Sequence, residues 1–314
     1  MPKVAVILAA YNAERYLPAA VESILAQTFA DFELIAVDDG SKDSTGQLLD
    51  EYAKRDPRVR VIHKQNAGQV HAALDGIAAS TAPLIARMDA DDISLPDRLA
   101  KQVAFFDAHP EAVLLGGAYE LIDEKGRLLT TIRQPADDAT LQQTLLTGRC
   151  PICQPLAMFR RDAYDKTMGY RPAFYAEDID LWLQLGEVGR IACLPDVLLK
   201  YRQHAGSLSE LRQQKQSDSQ REACQQAWQR RGVEGQYTFD SPQWRASDKA
   251  SLQKQLLKYG WWAWNSGQRS TARSYAFRAI KKQPTSASGW KLLACTVLKK
   301  TPALVPFPSG RGLG

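Results

Sequence analysis

The sequence predicts an α/β fold, a mostly parallel sheet with helices on both faces, followed by an all-helical appendage. Three observations carry this prediction. Apolar, β-branched runs alternate with amphipathic segments from residue 4 onward, at a spacing of about 25 to 30 residues per strand–helix pair. Several of those runs stop at polar or acidic clusters, as strands do where they open onto a ligand crevice. The charge is also split: residues 1–212 carry 23 Lys and Arg against 30 Asp and Glu, whereas residues 213–314 carry 17 against 5.

Val4–Ala9 reads as a strand leading into Tyr11-Asn12, and Arg15–Gln27 places Leu17, Val21, Ile24 and Leu25 on one helical face. Phe32–Val37 is a second strand ending at Asp38-Asp39-Gly40-Ser41. Thr45–Lys54 follows as a helix capped by Asp43 or Ser44. Val59–His63 gives a third strand, Asn66-Ala67-Gly68 turns into a helix over Val70–Ala79, and Leu84–Met88 is the fourth strand. Pro96 opens a helix that ends near His109-Pro110, and Val113–Gly117 is the next strand. Tyr119–Ile122 and Leu128–Ile132 flank a hairpin turn with Gly126. Leu156–Phe159, a helix over Arg161–Met168, a helix around Ile179–Leu185, and strands at Arg190–Leu194 and Val197–Tyr201 complete a first domain of residues 1–212.

Residues 213–300 turn to Gln, Arg and Ala with little β signal, and Leu252–Asn265, Thr271–Lys282 and Ser286–Leu298 read as helices separated by Gly267 and Pro284. Their spacing resembles about one and a half tetratricopeptide units, too few to bury a core alone, so they should dock on the first domain. Residues 301–314, with three Pro and three Gly, read as a loose tail. No apolar run reaches the ~18 to 20 residues of a membrane helix, and no signal peptide is evident. The five irregularly spaced cysteines suggest a reducing cytoplasm. The basic second domain can lie on an anionic membrane surface, or simply aid solubility.

Chemistry concentrates where strands end. After Leu84–Met88 come Asp89, Asp91 and Asp92, hard oxygen ligands of the kind that hold Mg²⁺ or Mn²⁺ beside a bound phosphate. The plain alternative is a solvated acidic turn. Tyr11 and Asp39 share the same sheet edge, where a ring could stack on a base and a carboxylate accept its imino hydrogen; core packing and turn formation are the competing roles. No phosphate loop or G-x-G-x-x-G is present, so diphosphate must be met by a cation on Asp91, with His204 as a further ligand. Asp178, at the start of a helix backed by Trp182, suits a base aimed at an acceptor hydroxyl, and acidic residues there also suit the helix dipole. Cys150 and Cys153 have C-x-x-C spacing, but no second pair supports zinc or redox work. His63, His71 and His109 have no evident partners.

Together Ala9-Ala10-Tyr11-Asn12, Val37-Asp38-Asp39-Gly40-Ser41, Asn66-Ala67-Gly68, Arg87-Met88-Asp89-Ala90-Asp91-Asp92, Gly169-Tyr170-Arg171, Ala176-Glu177-Asp178 with Leu181-Trp182, and Tyr201-Arg202-Gln203-His204 resemble the bacterial family 2 glycosyltransferases. The likeness spans roughly residues 1–210. It implies a GT-A, Rossmann-like fold, an inverting transfer from a nucleotide sugar, most simply a UDP-sugar, and a glycan or polyprenyl-linked acceptor in surface-polysaccharide synthesis. By position it places Tyr11 and Asp39 on the base, and Ala9, Gly68, Arg87, Asp89 and Ala90 around the donor. Asp89, Asp91 and His204 fall on a Mn²⁺ or Mg²⁺ ion, Asp178 becomes the base, and Glu177 and Trp182 lie on the acceptor side. Gln154 stands where the family frequently has His. No nucleic-acid partner is expected. The rival readings are a sugar nucleotidyltransferase, which would release pyrophosphate, and a catalytically silent sugar-nucleotide binder or scaffold.

Overall fold

The computed structural model describes residues 1–204, 213–238 and 249–298. The expected tail, 301–314, and the junction at residue 212 lie outside them. In chain order the elements are β1 (Val4–Ala10), α1 (Leu17–Leu25), β2 (Phe32–Asp38), α2 (Thr45–Arg55), β3 (Val59–His63), α3 (Gln69–Ala78), β4 (Leu84–Asp89) and the short β5 (Ile93–Ser94). Then come α4 (Arg98–Ala108), β6 (Ala112–Asp123), β7 (Leu128–Ile132), α5 (Asp138–Leu146), β8 (Met158–Arg160), α6 (Arg161–Tyr164), α7 (Glu177–Val188) and β9 (Arg190–Gln203). Four helices follow: α8 (Gln213–Arg231), α9 (Lys249–Asn265), α10 (Arg269–Lys282) and α11 (Ala287–Leu298).

The sheet runs β3-β2-β1-β4-β8-β6-β9-β5, with β7 paired to the outer part of β6. Strands β3, β2, β1 and β4 are parallel, as right-handed strand–helix–strand units require. β8 is inserted antiparallel between β4 and β6, and β6 pairs parallel with β9. Side chains alternate along β1, so Val4, Val6 and Leu8 enter one apolar layer with α1 and α4, while Ala5 and Ile7 enter the other with α3 and α7. Helix α3 lies so close to the sheet that a Cβ on Gly76 would come 2.7 Å from a methyl of Ile7. Only a residue without a side chain fits there.

Differences from the sequence reading are local. β6 and β9 each join two expected strands across irregular registers. The helix expected from Pro96 begins at Arg98, and that expected over Arg161–Met168 is a single turn. α5 is not among the expected elements, and α8 lies in the expected helical segment 213–300 where the sequence reading set no bounds for it. Asp137 caps α5, its Oδ1 accepting from the Thr140 amide at 2.9 Å, and α8 puts Ala223, Cys224 and Ala227 into the layer that holds Trp182. Helices α9 and α10 add Leu256, Tyr259, Trp262 and Tyr275 to the opposite layer, and α11 closes a small cluster of its own against them. The appendage is therefore docked through apolar side chains.

Candidate active site at the strand ends

Register places the site. Ala10 pairs with Asp38 and Ala9 with Asp89, so the polar residues beyond β1, β2 and β4 emerge side by side at one edge. Tyr11, 49% exposed, stands on the rim of this crevice, while Ala9 and Ala90 pack into the two different apolar layers. Asp39 is buried and holds the loop before α3: its Oδ1 and Oδ2 accept from the amides of Ala67 at 2.9 Å and Gly68 at 2.8 Å. Gly68, with φ +94°, needs the left-handed backbone that brings its amide to this carboxylate.

Three carboxylates crowd the end of β4. Oxygens of Asp89, Asp91 and Asp92 lie within 4.8 Å of one another. Burial, reinforced by the charge of Asp91 and opposed by Arg87, pushes Asp89 up to about 6. Burial pushes Asp92 well above the carboxylate range, with its two acidic neighbours adding to the effect. Asp92 Oδ1 accepts from the Arg202 amide at 2.8 Å, but its buried Oδ2 has no hydrogen-bond partner among the described residues. Arg87, Arg98 and Arg202 offset only part of this crowded negative charge, since Asp89 and Asp92 are still pushed up, and a divalent cation would supply more.

The last strand completes the group. His204 Nε2 lies 2.8 Å from Asp91 Oδ2, and its ring sits 5.1 Å from that of Tyr16. Arg202 donates its Nε to the Asp91 carbonyl at 2.7 Å and stacks 4.6 Å over Tyr16. Arg202 and Tyr16 were not singled out from the sequence. Nothing in their spacing reveals contacts between chain segments more than a hundred residues apart.

Across the crevice is the start of α7. Asp178 Oδ1 accepts from the Ile179 amide at 2.8 Å, and Cys150 Sγ lies 3.6 Å from Oδ2. Burial raises the Asp178 carboxyl, while those two donors pull the other way. Glu177 is buried further and, through that burial and its neighbour Asp178, is pushed up to about 7. Its Oε1 accepts from Gln69 and, at 3.3 Å, from Gln154. Arg87 is fully buried, its guanidinium 5.6 Å from the Tyr170 ring centre, and its Nε and Nη1 have no hydrogen-bond partner among the described residues. Its charge acts on both Asp89 and Glu177, and that of Asp178 on Asp89, which joins the two walls electrostatically.

Two expectations need correction. Trp182 is completely buried, its Nε1 donating to the Ile152 carbonyl at 3.2 Å, so it supports α7 from beneath and cannot touch an acceptor. His63 and His109 do have partners: the His63 nitrogens lie 3.1 Å from Asp38 Oδ2 and 2.9 Å from Asp50 Oδ1, tying β3 to β2 and α2, and His109 Nδ1 lies 3.4 Å from Glu111 Oε1.

The family model described as Glycosyl transferase family 2 matches residues 5–168. The O-antigen biosynthesis glycosyltransferase WbnJ of Escherichia coli is 34% identical over 64% of this chain and 80% of its own length. Among solved structures, the mannosyltransferase PcManGT from Pyrobaculum calidifontis, in complex with GDP-Man and Mn²⁺, is similar at TM-score 0.58 and 18% identity, over 93% of this chain and 79% of that one. S. aureus TarS 1-349 in complex with UDP-GlcNAc is similar at TM-score 0.56 and 16% identity, over 94% and 79%. At such identities these two likenesses concern the fold.

Proposed function

The chain belongs to glycosyl transferase family 2, and from that premise we propose an inverting, cation-dependent transfer of a sugar from a nucleotide sugar to a hydroxyl of a glycan or lipid-linked acceptor in surface-polysaccharide synthesis. The chain is a glycosyltransferase with a GT-A fold. The observation that carries the finer reading is the crowded acidic cluster of Asp89, Asp91 and Asp92 facing the carboxylate of Asp178 across one crevice.

The donor set fits a hard divalent ion: crowded carboxylates, an orphaned buried oxygen on Asp92, and an imidazole nitrogen on Asp91. Asp89, Asp91 and His204 would hold Mn²⁺ or Mg²⁺. A bound cation supplies positive charge to the diphosphate and stabilises the leaving group as its bond to the sugar breaks. Mn²⁺ in the similar mannosyltransferase structure supports this choice.

The chain's own residues do the rest. Tyr11 offers an exposed ring to the base, and each Asp39 oxygen keeps a lone pair beyond the one engaged by Ala67 or Gly68. Arg87, whose Nε and Nη1 have no hydrogen-bond partner among the described residues, contributes charge toward the diphosphate. Asp178 takes the proton of the acceptor hydroxyl while that oxygen bonds to the anomeric carbon from the side opposite the departing diphosphate, which inverts the centre. The burial that raises Asp178 strengthens it as a base. Glu177, oriented by Gln69 and Gln154, lines the acceptor side.

The proposed donor is a UDP-sugar, supported by the TarS complex with UDP-GlcNAc; the GDP-Man complex makes GDP-sugars the comparison arm. The proposed compartment is the cytoplasm, in keeping with five free cysteines. Among the described residues no helix is long and apolar enough to cross a membrane. Incubation with Mn²⁺ and a panel of nucleotide sugars should release nucleoside diphosphate. Asp178→Asn should abolish turnover, a loss of at least ~10²-fold, while donor binding persists. Full turnover in Asp178→Asn removes that residue from its role, and pyrophosphate release from nucleoside triphosphate and sugar phosphate would favour a nucleotidyltransferase.

A further inference from the structure

From Lys249 to Gly314 the chain carries 12 Lys and Arg and no Asp or Glu. Helices α9 to α11 thus form a cationic body without carboxylates of its own, and one side of it also bears bare apolar groups. On α10, Arg273, Phe277 and Lys281 recur every four residues and share a side of the helix. That side borders α11. Arg269 Nη2 donates to the Val297 carbonyl at 2.8 Å and Arg273 Nη2 to the Thr296 carbonyl at 3.1 Å. On α11, Trp290 and Val297 lie two turns apart. Phe277 is 56% exposed, Trp290 52%, Val297 54% and Leu298 81%. The Trp290 indole N–H is already satisfied by the Pro284 carbonyl at 2.8 Å, which leaves its ring bare to solvent. Elsewhere among the described residues the exposed large apolar groups, such as Met168, Val188 and Val233, are spread singly along the chain.

The geometry points to a docking surface for an anionic phospholipid bilayer, in which Phe277, Trp290 and Val297 enter the headgroup layer while Arg273, Lys281 and Lys291 engage lipid phosphates. Exposed aromatic and aliphatic groups flanked by Lys and Arg are the composition by which a helix lies in a membrane interface. Charge decides the occupant. A second copy would bring two cationic bodies together, whereas a negative bilayer complements the whole face. The inference deepens the proposed reaction by holding the enzyme where a lipid-linked acceptor resides, and it rests on that reading only for this purpose.

Co-sedimentation of the full chain with vesicles of equal parts phosphatidylcholine and phosphatidylglycerol tests it, with phosphatidylcholine vesicles as control. Binding is expected only to the anionic vesicles and should fall steeply with added salt. Phe277→Ser with Trp290→Ser should lose sedimentation. Lys281→Gln with Lys291→Gln, both at exposed positions, should weaken it roughly 30-fold. Both variants should keep the wild-type rate of nucleoside diphosphate release without vesicles. Equal binding to both vesicle types, undiminished binding by both variants, or a wild-type dimer that the variants dissociate would overturn the proposal. Intact docking without any sugar transfer would instead count against the proposed reaction alone.

Discussion

Glu177 shows how one side chain can set a pH dependence. Burial and the adjacent Asp178 lift its carboxyl from the ordinary 4.5 to about 7, so the folded chain binds this proton more tightly than the unfolded chain does. Stability from this group is complete below the unfolded value and is lost as pH rises through the folded one. The cation-free protein should therefore melt at progressively lower temperature from about pH 5 to about pH 8, and Glu177→Gln should flatten that decline. A wild-type melting temperature that rises across this window would refute the assignment. The placement of Asp39, Asp89, Asp91, Asp178 and His204 in the candidate site was legible, because they are polar residues at the ends of recognisable strands or at the start of a helix. Trp182 misled for a physical reason: α7 is buried on nearly every side, so helical spacing did not reveal which positions meet the crevice.

At the scale of elements, the turn between β6 and β7 links the appendage to the acidic cluster. The Tyr275 hydroxyl on α10 donates to Asp123 Oδ2 at 2.9 Å, and Asp123 also receives Arg127 Nε at 2.7 Å. The Asp123 carbonyl in turn accepts from Arg202 Nη1 at 3.3 Å, and Arg202 holds the backbone of Asp91 and the side chain of Asp92. Tyr275→Phe should cost about 1 kcal/mol. Asp123→Ala, which strands a guanidinium and a phenol together, should cost about 3 kcal/mol and weaken Mn²⁺ binding. Denaturant unfolding and a Mn²⁺ titration would measure both; an Asp123→Ala protein of native stability and metal affinity would break the link. These contacts were not legible in the sequence, nor were the bounds of α8, whose small buried residues Ala223, Cys224 and Ala227 make too narrow a stripe among glutamines to register as amphipathic. The antiparallel entry of β8 between β4 and β6 escaped for a different reason, since nonlocal pairing leaves no periodic trace.

For the molecule as a whole, the two apolar layers and the docked helices make a single scaffold whose crevice should respond as a unit to ligand. Binding to the native state alone raises stability by RT ln(1 + [L]/Kd), about 2.7 kcal/mol at a hundredfold excess over Kd. A thermal-shift screen should show a marked rise with the matching nucleoside diphosphate in the presence of Mn²⁺, and little with either component alone. Equal shifts from nucleotide without any cation would argue that Arg87 rather than the acidic cluster meets the diphosphate. The alternation of strand and helix was readable because each unit along residues 1–90 is local. The second half of the sheet was harder, because its neighbours come from distant parts of the chain.

Asp91 and His204 are 113 positions apart, and their meeting depends on β9, the last strand to be made. A ribosome that has delivered only the segment matched by the family model has produced neither Asp178 nor His204. On the roles proposed for them, the crevice would acquire its base and its imidazole ligand only once β9 has been made and the sheet has closed.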